Sequence, residues 1–325
     1  MKKVLFIFLI VLTILGCNSN KKKDTFDIAI ISIVEIDPIV QLRNGFKEVM
    51  DSSEFVKLHK IKYAEYNAQN DASIQNQIVD KVLINKPDLV YVLGTPIAQA
   101  IQKRMPDVLL VQGTATDPVS AGLANSWDGS GKNYIATTDL PPIDKQIELI
   151  RTLTPDVKRL GVIYNPGEIN SVAVIERLKQ YISSNNVTIQ LVERSISTTS
   201  DVATAISSLI GKADAIYLPP DNTAHAAIPV IGRVANEFKI PFYATVESAL
   251  DNGALATLSL DFVQMGRETA YLTLEVLNGK DPKTMPIKAS ENPTITINGK
   301  VSKSLSIDLS SFMNKPNYII KELND

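Results

Sequence analysis

GVIYNPGEINSVAVIERLKQ, residues 161–180, opens as a short apolar strand over Gly161, Val162, Ile163 and Tyr164 and breaks at Asn165-Pro166-Gly167. Asn, Pro and Gly each favour a turn for a separate backbone reason. The chain resumes at Asn170-Ser171 with Val172, Ile175, Leu178 and Ile182 at helical spacing. A strand that turns sharply into a helix leaves polar side chains and backbone N–H groups at the strand's carboxyl end, where ligands bind in open parallel sheets. The plainer reading is a βα turn with a helix cap at Asn170 or Ser171. Recurrence of the same arrangement at other strand ends favours the ligand reading.

Working outward, the pattern repeats on both sides. Residues 27–34 (DIAIISIV) are almost continuously apolar, as expected of a strand covered on both faces. Ile39, Leu42, Phe46 and Val49 then fit one helix face. Further strands are predicted over 58–66, 88–93, 108–112 and 134–138, with helices over 73–85 and 98–104. Leu140-Pro141-Pro142 marks a crossover between two lobes, because prolines fix the local backbone. A second series follows, with strands over 160–164, 187–193, 215–218, 242–245 and 254–260. Its helices are predicted over 144–153, 171–183, 201–210, 224–238 and 265–277, with a last strand over 294–297. The fold class is α/β: two doubly wound parallel-sheet lobes joined by hinge strands. The expected division is 25–138 plus about 258–288 for lobe 1, and 139–257 plus about 289–325 for lobe 2.

The 325 residues suffice for two cores, and a net charge of −2 gives no basic footprint for nucleic acid. Met1-Lys2-Lys3 and the apolar run 4–15 read as a signal peptide over 1–16, too short to span a bilayer comfortably. The run ends in Ile14-Leu15-Gly16-Cys17, which resembles a bacterial lipobox, and Cys17 is the single cysteine of the chain. Cys17 is therefore the expected lipidation site, with 17–24 a polar tether and acyl chains holding the membrane. One cysteine excludes an intramolecular disulfide or a Cys-rich metal site.

Asn67-Ala68-Gln69, Lys86-Pro87-Asp88-Leu89-Val90, Gly94-Thr95-Pro96, Thr116-Asp117-Pro118-Val119 and residues 153–159 (LTPDVKR) form a set with Tyr164-Asn165-Pro166-Gly167-Glu168-Ile169-Asn170-Ser171. Pro220-Asp221-Asn222, residues 252–257 (NGALAT) and Gly266-Arg267-Glu268-Thr269 complete it. The set resembles the ABC-transporter substrate-binding lipoproteins of the aromatic-amino-acid (tryptophan, tyrosine, phenylalanine) type, across about residues 26–300. Residues 132–138 (KNYIATT) depart from the Gly-Asn-Val-Thr-Gly-like run that the family tends to place there. The resemblance implies a type 1 periplasmic-binding-protein fold, an amino-acid ligand in the cleft between lobes, and an ABC permease and ATPase as partners. It also implies an extracytoplasmic, lipid-anchored protein at the cell surface or periplasmic face, and a monomer is expected because nothing in the sequence suggests an obligate apolar interface.

An amino-acid zwitterion needs two opposite polar receptors and an apolar slot. Thr95 and the backbone after it are the expected carboxylate receptor, against the alternative of a helix cap before Pro96. Asp221 is the expected ammonium receptor, against a cap of the helix starting near Asn222. Asp117, Asn170, Ser171, Asn222 and Glu35 complete the candidate ligand-binding set. Glu168 reads as a solvated or capping carboxylate, and Trp127 and Tyr164 as packing residues. His59 and His225 have no ligand-spaced partners, so neither is read as metal-binding or catalytic. No G-x-S-x-G, phosphate loop or nucleophilic cysteine appears, so the expectation is a binding protein rather than an enzyme, with no cofactor. The alternatives are a ligand-sensing receptor on the same fold, or a binding protein for a different small polar solute.

Overall fold

The computed structural model describes residues 25–290, 293–312 and 318–322. The expected signal peptide, Cys17 and the expected tether lie outside the described residues. The first half of the chain runs β1 (Thr25–Ser32), α1 (Asp37–Ser52), α2 (Glu54–Leu58), β2 (Lys60–Asn67), α3 (Ala72–Asn85), β3 (Leu89–Leu93), α4 (Thr95–Arg104), β4 (Leu109–Gln112) and β5 (Tyr134–Thr138). The second runs α5 (Ile143–Leu153), β6 (Arg159–Tyr164), α6 (Ile169–Ser184), β7 (Gln190–Ser195), α7 (Val202–Ser207), β8 (Ala215–Leu218), α8 (Asn222–His225), α9 (Ile228–Glu237), β9 (Phe242–Ala244) and β10 (Ala256–Ser259). The tail adds α10 (Phe262–Leu277), β11 (Lys288–Ala289), β12 (Thr294–Asn298), α11 (Gly299–Ser304) and β13 (Tyr318–Lys321).

These strands form two sheets, ordered β11-β5-β4-β3-β1-β2 and β13-β12-β10-β9-β8-β6-β7. Every pairing is parallel except β10 with β12. The period-2 alternation of strand side chains explains the apolar run at β1. Ile28 and Ile30 pack with Leu42 and Phe46 of α1 on one face, while Ala29 and Ile31 meet Val79, Ile97 and Ile101 on the other. In lobe 2, Leu160 and Val162 meet Ile150 and Leu178, and Ile163 faces Ile206 and Ile231. Each fully buried aliphatic side chain contributes about 1.5–3 kcal/mol.

The chain passes between lobes after β5, after β10 and after β11. Leu258 and Ser259 thus belong to the second sheet and Ala289 to the first, each shifting the expected crossing by two residues or fewer. The late helix α10 returns to lobe 1 and lies against α1 with the two backbones in direct contact. A Cβ on Gly45 would stand 2.1 Å from the Val263 carbonyl oxygen, and one on Gly266 would stand 2.2 Å from that of Leu42. Only glycine permits this approach.

Local differences from expectation have physical causes. The helix expected over 224–238 is two, α8 and α9, because Pro229 in the first turn of α9 cannot donate a bond back into α8. Residues 54–58 form a helical turn, so β2 begins at Lys60 rather than 58. A capping box between Thr198 and Asp201 closes a single 3₁₀ turn before α7, which shortens the helix expected over 201–210. Among the described residues no helix is long and apolar enough to cross a membrane.

Candidate functional site

The order of each sheet reverses at one point, between β1 and β3 in lobe 1 and between β6 and β8 in lobe 2. Loops that leave neighbouring parallel strands there diverge and leave a crevice. The two crevices face one another across a cleft lined by residues of both lobes. Lobe 1 lines it with Ile36, Pro38 and Ile39 after β1, Gly94 and Thr95 after β3, Thr114 and Thr116 after β4, and Asp139 after β5. Lobe 2 contributes Asn170, Asp221, Asn222, His225 and Thr245. Pro141, Pro142, Leu258, Leu260 and Phe262, at or beside the crossings, make the hinge side apolar.

Asp221 follows β8 and Pro219-Pro220, and is buried. Its Oδ1 accepts from the Ala224 backbone N–H (2.7 Å), capping α8, while Oδ2 accepts from Asn165 N–H (2.6 Å) and the Ser171 hydroxyl (2.7 Å). It therefore ties the β6 and β8 loops together at the switch point. Burial, joined by repulsion from Glu168, pushes its carboxyl up to about 7, against the pull of those three hydrogen bonds. Glu168 is buried rather than solvated, and it caps. It accepts from the backbone N–H groups of Asn222 (2.9 Å) and Thr223 (3.0 Å), from Asn222 Nδ2 (2.6 Å) and from the Thr223 hydroxyl (2.7 Å). Neither carboxylate has an ion-pair partner among the described residues.

Asn170 donates through Nδ2 to the Pro220 carbonyl (3.2 Å), and its buried Oδ1 has no partner among the described residues. The same holds for His225 Nε2 and Thr245 Oγ1. Burial depresses the His225 imidazole to about 4, against a raising bond with the Pro219 backbone, so it is neutral at pH 7. Its Nε2 then presents a lone pair, since the other nitrogen carries the proton toward Pro219.

On the facing wall, Gly94 caps α4 at φ 138°, and Thr95 is the first helical residue rather than the cap. First-turn amides of a helix lack intrahelical acceptors and favour anions. Gln112 donates through Nε2 to Thr95 Oγ1 (3.4 Å) and to the Thr114 carbonyl (2.8 Å), and Tyr134 OH donates to Gln112 Oε1 (2.8 Å). With its oxygen already accepting, the Thr95 hydroxyl keeps its hydrogen for an acceptor in the cleft.

Thus Thr95, Asn170, Asp221 and Asn222 converge on the cleft, and Ser171 stands behind Asp221. Glu35 is not on the wall; both its oxygens accept from Arg43 (2.5 and 3.0 Å) at an exposed position. Asp117 is not on the wall either. It caps Ser120 N–H (3.0 Å) and pairs with Arg177 of α6 (2.6 Å), so Thr116 rather than its neighbour lines the cleft. Trp127 packs against the lobe 1 core, and Tyr164 donates to Glu193 (3.0 Å). Sequence reasoning missed Thr114, Asp139, His225 and Thr245, and read Thr116 only as part of the Thr116-Asp117-Pro118-Val119 run. The signal for the first four was position alone, one or two residues beyond a strand or a few residues after two prolines.

Among the described residues, two side-chain hydrogen-bonded contacts join the lobes, Arg177 to Asp117 and Asn70 Nδ2 to the Thr223 hydroxyl (3.1 Å). The chain superposes with a TM-score of 0.85 on an ABC domain from Streptococcus pneumoniae in complex with L-Trp, at 26% identity over 91% of this chain and all of that one. Against the ligand-free, open structure of a substrate-binding protein with adhesive properties from Clostridium difficile the score is 0.69, at 32% identity over 92% of this chain and all of that one. The better overlap is with the more distant sequence, as expected if the lobes here are closed. By sequence, the chain is 38% identical over 293 residues to a tyrosine-binding protein of Clostridioides difficile (strain R20291), covering 89% of this chain and 84% of that protein. The model of the ABC transporter substrate binding protein family matches residues 27–316. With its two lobes in the type 1 periplasmic-binding-protein arrangement, the chain belongs to the ABC transporter substrate-binding proteins.

Proposed function

We propose that the protein captures an aromatic amino acid outside the cytoplasmic membrane and delivers it to an ABC permease and its ATPase, performing no chemistry itself. The observation that carries this is Asp221, a buried cleft carboxylate with no cation paired to it among the described residues, opposite the amino end of α4. The ligand's ammonium bonds Asp221 and Asn170 Oδ1, and its carboxylate bonds the Thr95 hydroxyl and the first-turn amides of α4. The ring lies among Ile36, Pro38, Ile39 and the apolar hinge side. Hydrogen bonds to charged groups contribute about 1.5–3 kcal/mol each and ring burial about 2–3 kcal/mol. A few such contacts reach the roughly 8 kcal/mol of a micromolar complex. The names of the tyrosine-binding relative and of the L-Trp complex support this ligand class.

In this reading Cys17 carries the lipid anchor, the three crossings are hinges, and the protein works as a monomer. A thermal-shift screen of the soluble body, from about residue 24, against the twenty amino acids and a nucleoside tests the ligand class. A ligand at 100 times its Kd adds about 2.7 kcal/mol. Tyrosine, tryptophan or phenylalanine should raise Tm by several degrees, and a shift with the nucleoside alone would contradict the proposal.

A further inference from the structure

Asp139 is the cleft carboxylate that the ammonium and carboxylate receptors leave unused. It stands one residue past β5, just before the lining prolines Pro141 and Pro142, on the side of the cleft that Leu258, Leu260 and Phe262 make apolar. Its Oδ1 accepts from the Thr116 hydroxyl (2.7 Å), and no Lys, Arg or His pairs with it among the described residues. Desolvation drives its carboxyl above the ordinary range, only partly offset by Thr116 and its own backbone. A carboxylate in an apolar wall is costly unless something polar meets it.

Its position along the sheet separates it from the zwitterion receptors. In lobe 1, β5 stands two strands from β3, which carries Thr95; in lobe 2, β10 at the hinge stands two strands from β8, which carries Asp221. Two strand spacings are about 10 Å, so one ammonium group cannot serve both ends. Between them the cleft is lined by Thr114 and Thr116 after β4 and by Thr245 and Val246 after β9, with the apolar residues Leu258 and Leu260 alongside.

We propose that Asp139, oriented by Thr116, accepts a hydrogen bond from a donor at the far end of the ligand's ring, so that the cleft selects tyrosine or tryptophan over phenylalanine. The inference rests on the aromatic-amino-acid reading above. A phenol O–H and an indole N–H each supply such a donor, whereas phenylalanine buries the carboxylate against a C–H edge. A site built around a polar partner discriminates strongly against the analogue that lacks it.

The test is calorimetric titration of the soluble body with tyrosine and phenylalanine, for the unaltered protein, Asp139→Ala, Asp139→Asn and Thr116→Val. Asp139→Ala should weaken tyrosine about 10- to 100-fold, the range for one bond to a charged group, and leave phenylalanine within about threefold. Asp139→Asn, which keeps the shape and a neutral acceptor, should fall between, and Thr116→Val should lower the tyrosine-to-phenylalanine ratio in the same direction. Retained phenylalanine binding reports that each variant is folded. Equal losses for both ligands would make Asp139 a hinge or ammonium residue and overturn the inference, as would an unchanged ratio. If the unaltered protein bound neither ligand nor tryptophan, the aromatic reading itself would fall and take this inference with it.

Discussion

The Arg177 guanidinium of α6 holds the Asp117 carboxylate of the opposite lobe, with Nη2 at 2.6 Å and Nε at 3.0 Å from Oδ2. The two side chains differ in setting: Asp117 is 2% exposed and Arg177 40%. The guanidinium also lies over the Trp127 ring, 5.9 Å from its centroid. Such a pair exists only while the lobes are together, so it biases the protein toward the closed form and adds to the affinity of any ligand that needs closure. Solvent access on the arginine side limits its strength.

Arg177→Ala should therefore raise the Kd of the cleft ligand about 3- to 10-fold, by lowering the population of the closed form. X-ray scattering of the ligand-free variant should give a larger radius of gyration than the unaltered protein. Unchanged affinity together with unchanged dimensions would show that the pair does not influence closure.

Asp221 gives the affinity a pH dependence. Its carboxyl stands near 7 in the ligand-free fold, while an ammonium ligand needs it ionised. Binding should release a proton between about pH 6 and 7, with affinity falling about tenfold per unit below 7. Titration in buffers of different ionisation heat reads the proton count, and proton uptake would be the wrong sign.

The same group acts on stability in the opposite direction to His225. Asp221 is raised from 3.8 to about 7, so the native state holds the extra proton and this contribution falls as pH rises from about 4 to 7. His225 is lowered from 6.5 to about 4, so the unfolded state holds the extra proton and its contribution rises over about 4 to 6.5. Asp221→Asn removes the first effect alone. Ligand-free, the variant should gain stability relative to the unaltered protein as pH rises from 5 to 8, measured by urea unfolding at each pH. A gap that stays constant with pH would contradict the assignment.

Glu168→Ala should be among the more damaging substitutions outside the hydrophobic core. It leaves the amides of Asn222 and Thr223 and both their side chains without an acceptor. A loss of about 2–4 kcal/mol is expected, since buried donors left unmade cost about 1–3 kcal/mol each with partial relief by water. Glu168→Gln should keep most of the stability and move the pH midpoint of ligand binding downward, because the charge that repels Asp221 is gone.

Much of this arrangement was readable in the chain. The run DIAIISIV announces a strand covered on both faces, and the two prolines before Asp221 mark a strand end with a carboxylate on it. What could not be read is which of two adjacent polar residues faces the cleft. Thr116 lines the wall while Asp117 turns to Arg177, a partner 60 residues away that only the meeting of the lobes supplies. Glu35 leaves β1 at the right place, yet Arg43 claims both its oxygens at the surface. Asp139 and Thr245 carry no motif, and the ends of β5 and β9 alone bring them to the site. The Gly266-Arg267-Glu268-Thr269 run, noted in the chain as a family mark, has a packing cause in the touching backbones of α1 and α10.

Gly266→Ala tests that cause. The added Cβ would meet the backbone of Leu42 and Phe46 rather than a movable side chain, so the two helices must separate. A cost of about 1–3 kcal/mol should lower Tm by about 2–10 °C. An unchanged Tm would show that the helices adjust freely.

The central claim is that the cleft holds an aromatic amino acid with its ammonium group on Asp221. Calorimetric titration of the refolded soluble body and its Asp221→Ala variant, against tyrosine, tryptophan, phenylalanine and leucine, tests it most directly. The account predicts micromolar or tighter binding of at least one aromatic amino acid, weakened at least about tenfold in the variant by loss of a bond to a charged group. Binding by the variant as tight as by the unaltered protein would contradict the placement of the ammonium group, and silence with all four amino acids would contradict the ligand class.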